Sequence, residues 1–158
     1  MKKVIAIEFI LILLLVGVMT LLLYKKEPRS NVTEAEVHTM FASVVGDAPV
    51  TEAGSLRIRR VFDLNAADYD MIVYYTPIET MDVCEFILIR TNESNFSTAQ
   101  TALEERLSSQ ITAFTNYGEE QTALLKKAII WQSGDYICLI VSKEPQIWLD
   151  AVKALLEV

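Results

Sequence analysis

The chain has 158 residues, with 21 acidic against 14 basic side chains and a formal charge of −7. Residues 31–158 alone hold nineteen acidic and nine basic side chains, a net charge of −10, and such a surface repels phosphate backbones and excludes nucleic acid as a partner. One histidine, His38, and two cysteines outside any CxxC pair exclude a His-based triad and a multi-His or cysteine-rich metal centre.

The first predicted element is apolar. Fifteen of the twenty residues from Val4 to Leu23 are Leu, Ile, Val or Phe, with Lys2 and Lys3 before them and Lys25 and Lys26 after. At about 1.5 Å per residue a helix of this length would measure roughly 30 Å, the hydrocarbon thickness of a bilayer. The stretch therefore predicts an N-terminal transmembrane helix over residues 4–23, within a membrane anchor at 1–24. A cleavable signal peptide has a shorter apolar core, roughly 7–15 residues, and small residues at its cleavage site. This run is longer and ends in Leu21, Leu22, Leu23 and Tyr24, so the expectation is a retained signal anchor. Glu8 lies little more than one turn from its end, within reach of the interface. The flanking charges, with Lys25, Lys26 and Arg29 on the distal side, lean towards an outside N-terminus. A short basic tail running straight into the apolar stretch has instead the layout of a signal anchor. That layout is the one adopted here: a single-pass protein of the cell membrane whose C-terminal domain is extracytoplasmic.

Residues 25–32 form a polar linker containing Pro28, and residues 33–158 are long enough for one domain with a single core. Thr33 and Glu36 have capping-box spacing. Val37, Met40, Phe41, Val44 and Val45 then repeat at helical intervals up to Gly46–Pro49, which ends the helix. Ser55–Leu64 fits either a short helix or a strand. Met71–Tyr75 and Val83–Arg90 read as strands. Ser97 and Gln100 offer a second capping spacing, opening a long helix that runs to about Asn116 and is stopped by Gly118, with Leu103, Leu107, Ile111 and Phe114 as its stripe. Glu119–Lys127 adds a helical turn or two. Ala128–Gln132 and Tyr136–Val141 flank Ser133-Gly134-Asp135 as a hairpin, and Pro145 opens a last helix. The order α-α-β-β-α-β-β-α predicts an α+β fold with a mainly antiparallel four-stranded sheet packed by helices. Cys84 and Cys138 could pair in an exported domain. Both fall in apolar runs, however, where a free buried thiol is the commoner outcome.

Few residues suggest chemistry. His38 lies one residue from the apolar stripe and reads as a surface side chain. No phosphate-binding Gly-rich loop and no GxSxG occur, and nothing calls for a cofactor or a metal. One polar constellation stands out. At about 100° per residue, Arg106, Gln110 and Tyr117 fall within roughly 40° of one another on the long helix. Period two places Glu85 on the same strand face as Val83, Ile87 and Ile89. An acid on an apolar face needs a partner, and Arg106 is the natural one. Glu85, Arg106, Gln110 and Tyr117 thus form a candidate cluster, read as a register-fixing ion pair in preference to a ligand-binding cleft. Tyr74, Tyr75, Trp131 and Tyr136 could line a groove for a glycan or peptide, although aromatic strand residues are usually core.

The runs DVCEFILIR, LEERLSSQITAFTNYGEEQTALLKKAI and SGDYICLIVS resemble a family known only as a domain of unknown function, found in lipoproteins and single-pass membrane proteins of Gram-positive bacteria. Glu85, Arg106, Gln110, Phe114, Tyr117, Gly118, Gln121, Gly134 and Tyr136 match the family's pattern. The resemblance runs from about Asp63 to the end. Many members have a lipid-modified cysteine and this chain has none at that position. The resemblance implies no activity. The expectation is a membrane-anchored, non-catalytic binding or assembly domain outside the cytoplasm, held by residues 4–23, with an envelope protein or glycan as partner. The alternatives are a small envelope hydrolase using Glu85 or Asp82 as its acid, and an accessory subunit of a membrane complex.

Overall fold

The computed structural model describes residues 12–19, 28–29 and 31–157. Residues 12–19 are helical (α1). Beyond them come α2 (Glu34–Val44), β1 (Val50–Glu52), α3 (Ser55–Phe62), a 3-10 turn (Ala66–Asp68), β2 (Met71–Pro77) and β3 (Glu85–Arg90). The chain continues through α4 (Glu93–Phe114), α5 (Glu119–Lys126), β4 (Ile129–Ser133), β5 (Tyr136–Val141) and α6 (Pro145–Leu156). The five strands form one antiparallel sheet in the order β1-β2-β3-β5-β4.

Helices cover both faces of this sheet, so the central strands β3 and β5 are buried along nearly their whole length. That is why both read as continuous apolar runs rather than as alternating ones. On one face Phe86, Leu88, Cys138 and Ile140 pack with Val37 and Phe41 of α2 and Trp148 and Val152 of α6. Phe41 stacks on Phe86 at 4.5 Å and meets Trp148 edge-on at 4.9 Å. On the other face Ile87, Ile89, Ile137 and Leu139 pack with Ile58 of α3, Leu103 and Phe114 of α4 and Leu125 of α5.

Local chemistry sets the helix ends. The Thr33 side chain accepts from the Glu36 amide while the Glu36 carboxylate accepts from the Thr33 amide at 2.8 Å, a complete capping box. Gly46 follows α2 at φ +55°, a left-handed position that glycine takes without a Cβ penalty. Gly118 works differently. A Cβ there would sit 2.6 Å from Phe114 Cδ1, so glycine is what lets α5 start against the end of α4.

Four expectations change. The sheet has five strands, not four; β1 is a three-residue edge strand with Thr51 and Glu52 exposed, too short to carry a periodic signal. Ser55–Leu64, open between two readings, is helical over Ser55–Phe62. The long helix starts at Glu93, because Asn92 rather than Ser97 caps it by accepting from the Asn95 amide at 3.1 Å. The transmembrane helix is also corrected: among the described residues, no helix is long and apolar enough to cross a membrane. Of the stretch 4–23 only residues 12–19 are described, and they are helical. Residues 4–11 and 20–23 lie outside the described residues.

Cys84 and Cys138 are free and buried. Cys138 pairs with Leu88 across the β3–β5 ladder, four residues along from Cys84. At about 3.3 Å per residue this separates them by roughly 13 Å, beyond disulfide reach. Arg29 ties the entering chain to one end of the sheet. Its amide donates to the Leu156 carbonyl at 2.9 Å, and its carbonyl accepts from the Tyr136 hydroxyl at 2.7 Å.

Two substitutions test these ends by their shift in urea-unfolding free energy. Thr33→Ala is expected to cost about 1 kcal/mol. Gly118→Ala, which must push the Phe114 ring, is expected to cost about 1–3 kcal/mol. A neutral Gly118→Ala contradicts the close-approach account.

Candidate functional site

The site grows from one acid on an apolar face. Period two along β3 turns Glu85 towards α3, α4 and α5, in the company of Val83, Ile87 and Ile89, and the residue is 0% exposed. A carboxylate so far from water needs a full set of donors. Arg106 supplies two nitrogens: Nε lies 3.2 and 3.3 Å from the two carboxylate oxygens, and Nη2 lies 3.1 Å from Oε2. One turn further along α4, the Gln110 amide bridges the pair. In the orientation that satisfies both neighbours, its nitrogen donates to Glu85 Oε1 at 2.8 Å and its oxygen accepts from Arg106 Nη2 at 2.8 Å.

A fourth member comes from β2. The Tyr74 hydroxyl donates to Glu85 Oε2 at 3.1 Å and lies 3.1 Å from Thr76 Oγ1. A phenol has one proton to give, so Thr76 completes the chain by donating to Tyr74. Burial pushes the Glu85 carboxyl above its ordinary value, while Arg106, Tyr74 and the field of Arg57 pull the other way. Burial, with the neighbouring Glu85 charge, also drives the Tyr74 phenol well up. The network holds α4 against β2 and β3. Its carboxylate is fully engaged, which leaves it poorly placed to hand a proton to a substrate.

Above this floor lies an open cleft of about 560 Å³, lined among others by Arg57, Thr76, Glu79, Arg106, Gln110 and Phe114. Arg106 and Gln110 are therefore shared between the buried network and the cleft wall. A second cleft, also about 560 Å³, shares Glu79 and Asp82 with the first and opens towards α2 and α6. Asp82 is committed locally, its Oδ1 accepting from the Val83 and Cys84 amides at 2.6 and 2.9 Å. Among the described residues, no group of three or more His, Cys, Asp or Glu side chains is placed to hold a metal ion.

The structure brings Glu85, Arg106 and Gln110 together and leaves Tyr117 out. Tyr117 is 67% exposed and packs on Phe114 at 5.6 Å. The helical projection that grouped it with Arg106 fails because α4 ends at Phe114. Tyr74 takes its place, a residue the sequence suggested only as a groove aromatic. Tyr75, Trp131 and Tyr136 lie on the opposite face of the sheet from Tyr74, so the four line no common groove. His38 is half-buried, its Nδ1 2.7 Å from the Tyr75 hydroxyl and its Nε2 3.7 Å from Glu52. Of the other motif residues, Gln121 donates to the Met81 carbonyl at 3.1 Å and so pins α5 to the β2–β3 loop.

The Arg106–Glu85 pair sets a pH dependence. Because the folded-state pKa of Glu85 is raised, the folded chain binds more protons here than the unfolded one. This group's contribution is present in acid and is lost as pH climbs from the ordinary carboxyl range through the raised value. Arg106→Ala should deepen that loss, costing about 3–5 kcal/mol at pH 8 and less at pH 5, closer to the range in which a carboxyl takes up a proton. Glu85→Gln added to Arg106→Ala should abolish the difference between the two pH values in chemical denaturation. An equal loss at both would contradict the buried-charge account.

Comparison with known families places a match over residues 44–142, to the family described as a domain of unknown function (DUF4358). No curated protein and no solved structure matches the chain.

Proposed function

The chain belongs to the DUF4358 family, a domain of unknown function, and we propose that it is a non-catalytic binding or assembly domain acting on the extracytoplasmic side of the cell membrane. One observation carries the reading. The chain enters the domain at Arg29, beside Tyr136 and Leu156, whereas both clefts open around the β2–β3 loop at the other end of the sheet. With β5 six residues long, at about 3.3 Å per residue the two ends stand roughly 20 Å apart. A domain built this way presents these two clefts away from whatever holds its N-terminal side, while a third concave surface of about 800 Å³, lined among others by Pro28, Thr91 and Asp135, lies at the entry end.

The apolar composition of residues 4–23 supports membrane association on that side. The acidic remainder supports a domain repelled by anionic lipid. Ile78 and Met81, 60% and 53% exposed on the β2–β3 loop, put apolar side chains at the cleft end, and this favours assembly with another envelope component as the form of binding. The hydrolase reading is weaker. Its acid, Glu85, is buried and fully hydrogen-bonded, and Asp82 is bound to two backbone amides.

Two measurements in cells test the proposal. A membrane-impermeant maleimide should label Glu105→Cys, on the exposed side of α4, in intact cells; protection until lysis contradicts the location. A photo-crosslinking residue at Met81 should give discrete adducts, and the same residue at Glu93, at the Arg29 end, should give none. Equal or absent adducts at the two positions contradict a binding role for the cleft end.

A further inference from the structure

The first cleft holds guanidinium donors that the buried network leaves unused. Arg106 forms part of its wall, with 21% of the side chain exposed. A guanidinium is a planar fork with five N–H donors. Three of them are spent inward: Nε and Nη2 lie on Glu85, and Nη2 also donates to the Gln110 oxygen. Nη1, with the remaining two, makes no hydrogen bond among the described residues. The Nε–Nη2 edge rests on a carboxylate with no exposure. Nη1 is the corner of the planar head opposite that edge, so it is the corner turned away from the core.

A second observation is independent of that network. Arg57 lines the same cleft from α3, is exposed, and sits close enough for its field to reach Glu85. It forms no ion pair and no side-chain hydrogen bond among the described residues. Its position is unfavourable for the helix. It stands in the first turn of α3, where the positive end of the helix dipole repels a cation, and neither an acid nor a side-chain cap offsets it there. Arg59 and Arg60, in the last turn, do the reverse and complement the dipole. Helix formation thus accounts for Arg59 and Arg60 but not for Arg57.

Two acids, Glu79 and Asp82, also line this cleft, and Asp82 is already bound to two backbone amides. With Glu85 beneath them, their repulsion disfavours a dianion such as phosphate, whereas a single planar carboxylate matches a guanidinium fork. Ile78, Ala113 and Phe114 supply an apolar wall. We propose that the first cleft binds a carboxylate carried on a short apolar stem, held between Arg57 and Nη1 of Arg106, with the stem against that wall. A free small acid and a carboxylate of a partner protein offer the same chemistry. This deepens the reading of the domain as a binding module and rests on it. Crosslinking from Met81, which lies outside this cleft's lining, can succeed while carboxylate binding fails, so the two ideas fail separately.

The test uses the full-length chain in neutral detergent at constant ionic strength, with NMR of the Arg106 Nε–H, which the bonds to Glu85 hold in place. Butyrate and N-acetyl-alanine are the carboxylate probes, butyramide and N-acetyl-alanine amide their neutral counterparts, and inorganic phosphate the dianion. Saturable shifts are expected with at least one carboxylate, with its amide at least about tenfold weaker, the worth of a charge-assisted hydrogen bond, and phosphate weaker still. Binding of butyrate alone identifies a free acid as the source, binding of N-acetyl-alanine alone identifies a peptide carboxylate, and either or both supports the proposal. Arg57→Gln, which leaves the buried network intact, should weaken binding severalfold. Arg59→Gln removes the same charge from the same helix outside the cleft and should leave affinity within about twofold. No shift with either carboxylate, an amide or phosphate binding as tightly, unchanged affinity in Arg57→Gln, or equal weakening in Arg59→Gln overturns it.

Discussion

Glu85 and Arg106 meet where β3 passes under α4, and the carboxylate has no exposure to water. Isolated, such a charge would cost far more than a small domain's net stability. The surrounding residues meet that constraint: Arg106 and Gln110 from the helix, and Tyr74 backed by Thr76 from the neighbouring strand. Apolar packing between α4 and the sheet is not directional and tolerates sliding. The hydrogen bonds to Glu85 do not, so they fix where along β3 the helix sits. That position in turn sets where α4 ends, where Gly118 lets α5 begin, and where Gln121 reaches the β2–β3 loop.

The two faces of the sheet divide the work. The α2–α6 side is an aromatic core centred on Phe41, Phe86 and Trp148, and its entering chain is pinned by Arg29. The α3–α4–α5 side carries the buried ion pair. Both sides contribute to the cleft end, through the turn after α2, the β2–β3 loop, the end of α4 and the start of α6. Polar and charged side chains that the core cannot accept collect there, beside Ile78 and Met81. Loops on a rigid scaffold are where binding residues concentrate, and this end of the domain has that arrangement.

Much of this was legible in the sequence for identifiable reasons. Period two along β3 gave the face of Glu85, and the unbroken run of α4 gave Arg106 and Gln110 as neighbours one turn apart. The same arithmetic misplaced Tyr117, because a helical projection holds only while the helix lasts and α4 stops at Phe114. Tyr74 was out of reach for a different reason. Its meeting with Glu85 depends on the β2–β3 register, which a long connecting loop does not disclose as a two-residue hairpin turn would. β1 offered three residues, two of them polar and exposed. The clefts depend on loop geometry, for which the pattern of apolar residues carries no signal.

The account stands most directly on the coupling between Glu85 and Arg106. A double-mutant cycle with Glu85→Gln, Arg106→Gln and the double variant, read by chemical denaturation at pH 8, measures it. The structure predicts an interaction energy of about 1–3 kcal/mol, the range for residues sharing one buried network. Additivity within about 0.5 kcal/mol, the behaviour of distant independent sites, would contradict the claim that this pair sets the position of α4.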